Sequence, residues 1–243
     1  MLKHLFKFPR TSVEWPEDAL SAEQQSILSQ AFQAEYAVLD DPQRIFDLCK
    51  AKADEGVVDA IYILGCFYEQ GDGQQRYFSQ AVECFKRCAN HGHAEAQYQL
   101  GVIYAQDEFG EPNFALAYGY FKQATDGGVV QAQYNLAHCL DQGLGCLEEK
   151  ASAFDHYQQA AEKGFAPASQ NVAVMYYNGE GVDKDIVKAY GWTLYAAKQG
   201  VEEAKLAEAQ MTQELSSQQI IEGKALLDQL LGLDTHSGTH SAH

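Results

Sequence analysis

Along most of the chain the apolar residues fall in paired runs, such as Ala60, Leu64 and Tyr68 followed, after a turn, by Ala81, Phe85 and Cys88. Apolar positions three to four residues apart place a stripe on one face of a helix, so each pair predicts a helix hairpin. The pairs recur with a constant offset of 36 residues, aligning Leu64-Gly65, Leu100-Gly101, Leu136-Ala137 and Val172-Ala173. Ala60, Ala96, Ala132 and Ala168 form one fixed column, Ala81, Ala117, Ala153 and Ala189 a second, and Gly92, Gly128, Gly164 and Gly200 a third. A fixed period of this length is the mark of a stacked repeat architecture.

The frame assigns work to these positions. The column glycines fall just after each second helix, where a left-handed residue closes a helix without a Cβ clash. Small residues at Gly65 and Gly101 let the two helices of a hairpin approach closely, and the aromatic or leucine one turn on fills the space between hairpins. The turns read "GDG", "GLG" and "GEG" in the first, third and fourth units, whereas the second has "DEFGEP", with Asp107 and Phe109 where Gly71 and Gly73 stand. That turn must bend differently.

Degenerate matches extend the frame in both directions. Leu28, Ser29 and Phe32 precede Leu64, Gly65 and Tyr68 by one period, and "SAEQ" at Ser21 to Gln24 resembles a capping box. Downstream, Ala204 and Ala225 stay in register, and "SSQQIIEGKALLDQLL" reads as a last amphipathic helix stopped by Gly232. The expected organisation is an N-terminal arm (1–20), a degenerate first hairpin (21–58), four regular repeats (59–201), a degenerate capping hairpin (202–233) and a polar tail (234–243). With helix signals throughout and no strand signal, the fold class is all-α: an α-solenoid of about six helix hairpins.

The succession A-x-Y-x-L-G-x-x-Y, G-x-G, K-A-x-x-W and A-A-x-x-G, carried best by "AQYQLGVIY" and "NGEGVDKDIVKAYGWTLYAAKQG", resembles the Sel1-like repeat (SLR), a longer-looped relative of the tetratricopeptide repeat. The resemblance covers residues 59 to 200. It implies a right-handed superhelix used as an adaptor, scaffold or inhibitor in protein complexes, often in bacteria, and no single activity. The disulfide-rich secreted branch of the family pairs cysteines eight residues apart; here Cys88 faces Ala96 in that register, so that branch does not fit.

Charge narrows the partners. With 17 basic against 34 acidic residues the formal net charge is -17, which disfavours nucleic-acid backbones and anionic membranes and favours a protein or peptide with basic patches. The most apolar window, "VVDAIYILGCFY", is broken by Asp59 and falls short of the ~20 residues a membrane span needs. The opening "MLKHLFKFPR" lacks an uninterrupted apolar segment or a small-residue cleavage site, so the expected location is the cytoplasm and the expected state a monomer.

In stacked hairpins the first helices line the concave face. The partner-binding candidates read from the frame are Tyr62, Glu69, Tyr98, Gln106, Tyr134, His138, Asp141, Gln142, Tyr177 and Asn178. Such a mixture of tyrosine, amide and acid suits a peptide segment, the rings giving contact area and the carboxylates selecting basic side chains. The competing reading of Tyr62, Tyr98 and Tyr134 is packing, because they sit at consensus positions of the repeat.

The sequence carries no recognisable catalytic constellation. The six cysteines are irregularly placed and lack a CxxC pair, so neither a disulfide framework nor a standard zinc site is suggested. Cys84, Cys88 and His91 share one helix face, but Cys88 aligns with Ala124, Ala160 and Ala196, a small core position. His138 beside Cys139 has no third partner, and adjacent helical residues point apart. His236, His240 and His243 lie in a polar tail without a second shell of support. The sequence therefore predicts a non-catalytic interaction module without cofactor or metal. Its alternatives are an immunity or inhibitor protein that blocks a toxin or enzyme, and a thiol-based metal or haem binder.

Overall fold

The computed structural model describes residues 42–70, 75–107 and 110–232. The arm at 1–20, the opening of the expected first hairpin with its capping box, the "GDG" turn, Phe109 and the tail at 234–243 lie outside the described residues. Among those described, eleven α-helices and no strand are found. The chain divides into two compact units at the Val129–Val130 junction.

The first unit holds α1 (Pro42–Asp54), α2 (Val58–Gln70), α3 (Gln75–Asn90), α4 (Ala94–Ala105) and α5 (Phe114–Asp126). α2 pairs with α3 and α4 with α5, while α1 packs on α2 and α3 on α4. The alanine columns are the contact lines: Ala60, Ala81, Ala96 and Ala117 are all fully buried. A Cβ added to Gly101 would stand 2.6 Å from the Phe121 ring, and one added to Gly65 2.8 Å from that of Phe85. The missing side chains are what let the ring of the second helix lie on the backbone of the first.

Gly92 and Gly128 close α3 and α5 with φ of 79° and 91°, and a Cβ at either would meet nothing within 4 Å. Backbone conformation, not space, selects glycine there. The second turn does depart from its neighbours. α4 ends at Ala105, and Gln106 takes an extended conformation as its C-cap. The Asn113 N–H nevertheless donates to Tyr104 O at 2.8 Å, the same closure that Glu149 makes with Leu140 and Asp185 with Tyr176.

The second unit holds α6 (Val130–Gln142), α7 (Lys150–Glu162), α8 (Ala166–Asn178), α9 (Ile186–Lys198), α10 (Glu202–Glu214) and α11 (Ser217–Leu230). α6 pairs with α7 and α8 with α9, with α7 on α8 and α9 on α10. The last helix breaks the pattern, packing on α9. Two glycines make that approach possible: a Cβ on Gly191 would lie 2.7 Å from Leu226, and one on Gly223 2.5 Å from the Tyr190 ring. The expected register at Ala225 is therefore corrected, since Ala225 is exposed and Gly223 takes the buried place. The cause is a short connection. α11 starts at Ser217, fixed by a capping box between Ser216 and Gln219, ahead of Glu222 where the frame would start it.

Candidate partner-binding surface

The frame brings the first-helix tyrosines against rings of the second helices. Tyr62 and Phe85 lie 5.9 Å apart between ring centres, Tyr98 and Phe121 6.2 Å, and Tyr134 and Tyr157 5.4 Å. Tyr62 also stacks on His93 at 4.5 Å, and Tyr134 leans on Phe165 at 5.1 Å. Tyr62 is only 6% exposed, so it serves packing and offers a partner almost nothing; Tyr98 and Tyr134 are half-buried.

His138 is likewise turned inward, 8% exposed, with Nδ1 3.5 Å from the Tyr157 hydroxyl. Burial pulls its pKa below the ordinary histidine value; Asp141 opposes that pull and Lys150 adds to it. Asp141 is engaged within the chain too, accepting from Lys150 Nζ at 2.8 Å and from Gln142 Nε2 at 2.7 Å. Asp141 thereby forms a bridge between α6 and α7. Gln106 leaves the helical face as a cap, and Glu69 is half-buried near the end of α2. Asn178 is exposed and donates to Glu180 at 3.1 Å.

Tyr177 differs from the consensus tyrosines. It is 39% exposed beside Val174, itself 42% exposed, and Lys184 Nζ stands 5.4 Å over its ring. Both residues border an open cleft of about 240 Å³ formed by α8, α9 and α10. Its apolar floor is Ala173, Ala207 and Met211, its inner wall Gln170 and Thr193, and Glu214 stands at its edge. The Gln170 side-chain oxygen is buried without a hydrogen-bond partner. Thr193, Ala207, Met211 and Glu214 are not among the candidates read from the sequence, because they lie on α9 and α10 and not on the first helix of a regular repeat. The signal legible in the sequence is the replacement of ring residues by Gln170 and Thr193 in the fourth repeat.

Burial pushes the thiols of Cys49, Cys88 and Cys139 up to about 12 and that of Cys84 to about 11, so all four stay protonated near neutrality. Among the described residues no group of three or more His, Cys, Asp or Glu side chains is placed to hold a metal ion, and no helix is long and apolar enough to cross a membrane.

Helix hairpins stacked through small-residue columns define a helical-repeat protein. The Sel1 repeat matches residues 58–93, 94–129, 130–165 and 166–201, more than half the chain, and the protein belongs to the Sel1 repeat family. Repeats of this family suggest protein partners, and the family is generally non-catalytic.

Among solved structures the chain is similar to a protective antigen present in uropathogenic Escherichia coli strains displaying an SLR fold, at 25% identity and a TM-score of 0.73, over 90% of this chain and 49% of that one. It thus spans about half the length of that protein. A Sel1 repeat protein from Oxalobacter formigenes is similar at 20% identity and a TM-score of 0.67, over 92% and 90% of the two chains. Curated proteins give no match.

Proposed function

We propose that the chain is a non-catalytic adaptor or scaffold that holds a segment of a protein partner, with the cleft of α8, α9 and α10 as its seat. The observation that carries this reading is the exposure of Val174 and Tyr177 on the border of an open apolar cleft, while Tyr62 at the consensus tyrosine column is consumed by packing. A small apolar floor with a few polar groups at its margin is the usual make-up of a recognition pocket. The net charge of -17 and Glu214 at the edge favour a segment that carries basic side chains.

The test is site-specific photocrosslinking in cells, with a benzophenone amino acid at Val174 or, in the first unit, at the exposed Lys122. The same partner band should form from position 174, fail from 122, and fade when Tyr177→Ser is added. Equal bands from both positions would refute the assigned seat.

A further inference from the structure

We propose, building on that seat, that the cleft takes an aromatic side chain of the partner segment, flanked by lysine or arginine, in the place where the other three repeats insert a ring of their own. The fourth repeat carries a double substitution. The positions that hold Tyr62 and Phe85, Tyr98 and Phe121, and Tyr134 and Tyr157 hold Gln170 and Thr193 in the fourth repeat. Both members of the ring pair are lost together, and both replacements line the cleft. The opening is therefore the space an aromatic pair fills elsewhere.

What surrounds it suits a ring. Ala173 and Ala207 add only methyl groups to its lining, and Met211, 8% exposed, brings a polarisable thioether that favours contact with aromatic edges. The Met211 sulfur lies 3.6 Å from the Thr193 hydroxyl oxygen, whose shorter acceptor is Ala189 O at 2.8 Å, and so stands beside the wall that lost its ring. Tyr177 gives a second ring at the border for an offset or edge contact. Gln170 carries the buried acceptor without a partner, and its amide turns about a soft terminal torsion, so an N–H of the incoming segment satisfies it.

The flanking charge follows from Glu214. It is the last residue of α10, where the carboxylate adds to the negative end of the helix dipole. A cation beside the aromatic anchor meets both.

The experiment uses the full chain and four pentapeptides: acetyl-Gly-Arg-Phe-Arg-Gly-amide, its versions with leucine or alanine for phenylalanine, and its version with glutamate for both arginines. Methyl NMR follows Met211, Ala173 and Val174 at millimolar peptide. The phenylalanine peptide is expected to shift these three signals and to bind about two- to tenfold more tightly than the leucine peptide, the range an aromatic contact adds beyond buried area. The alanine and glutamate peptides should leave them unmoved. The variant Gln170→Tyr with Thr193→Phe rebuilds the ring pair, and should melt no lower than the parent while losing the peptide. Glu214→Arg should weaken the arginine peptide and leave the melting temperature unchanged.

Leucine binding as tightly as phenylalanine overturns the aromatic anchor but leaves the seat, which the crosslinks from position 174 decide separately. Binding that survives in the folded ring-pair variant overturns both. Unmoved Met211 and Ala173 signals with all four peptides overturn the anchor as well.

Discussion

Lys150 at the start of α7 lies 2.8 Å from Asp141 near the end of α6, so the two helices of the third hairpin are joined by a charge-assisted hydrogen bond across their turn. Burial alone would lower the pKa of Lys150, but the hydrogen bond and charge of Asp141, helped by Glu148 and Glu180, leave it raised. Gln142 caps the other carboxylate oxygen. The pair is partly shielded, with 17% of the Asp141 side chain exposed and 32% of that of Lys150. Asp141→Asn is therefore expected to cost about 1 kcal/mol of stability after allowance for solvent screening. A urea titration of the full chain checks the loss, and partner crosslinking from Val174 should persist.

Gly101→Ala and Gly92→Ala separate space from conformation. The first drives a Cβ to 2.6 Å from the Phe121 ring and should cost about 1–3 kcal/mol, recovered in part by Phe121→Leu. The second meets open space at a φ of 79° and should cost about 1 kcal/mol, with no rescue by a smaller neighbour. Thermal melts of the two series, each with and without Phe121→Leu, test the distinction.

His138 makes the second unit sensitive to acid. Its folded pKa lies below 6.5, chiefly through burial, so the unfolded chain binds the extra proton first. Stability from this group is present above 6.5 and is lost as pH falls through the lower folded value. Among the groups that face it are Tyr157, whose hydroxyl lies 3.5 Å from Nδ1, and the charged pair Asp141 and Lys150, whose influences on it oppose each other. The difference in melting temperature between the parent and His138→Gln should shrink as pH drops from about 7.5 to about 5.

The Gly191 and Gly223 contact predicts a selective opening. Gly223→Val would push a side chain into the Tyr190 ring, 2.5 Å from where even a Cβ would stand, and should lift α11 from α9. Hydrogen exchange is expected to quicken throughout Ser217–Leu230 while α6 and α7 stay protected.

Thiol accessibility gives a further check. Cys49, Cys66, Cys84, Cys88 and Cys139 are buried, whereas Cys146 is half-buried on the turn between α6 and α7 and donates to Cys139 O at 3.4 Å. A disulfide-exchange reagent near neutral pH should label Cys146 first, and the other five only on unfolding. Fast labelling of Cys84 or Cys88 would revive a thiol-based role.

The 36-residue period, the alanine columns and the glycine stops are local and repeated, so each copy reinforces the others, and they were enough to give the helices, the hairpins and the family. Side-chain placement answers to pairs of columns instead. Tyr62 and Tyr177 both sit on first helices and both stand among the partner-binding candidates, Tyr62 with packing as its competing reading; a stacked His93 hides Tyr62, while Tyr177 stands 39% exposed.

The same limit applied at Asp141, whose partner nine residues on belongs to the next helix, and at Ala225, where a two-residue connection and the Gly191–Gly223 approach outweighed the repeat frame. By itself the sequence determined the hairpins and the lines along which they touch, because helix periodicity and glycine conformation are encoded within a few residues. Only the tertiary structure decided which rings are inside, where the last helix docks and where the cleft opens. Those depend on whether the opposing position fills the space, and in the fourth repeat Gln170 and Thr193 leave it open.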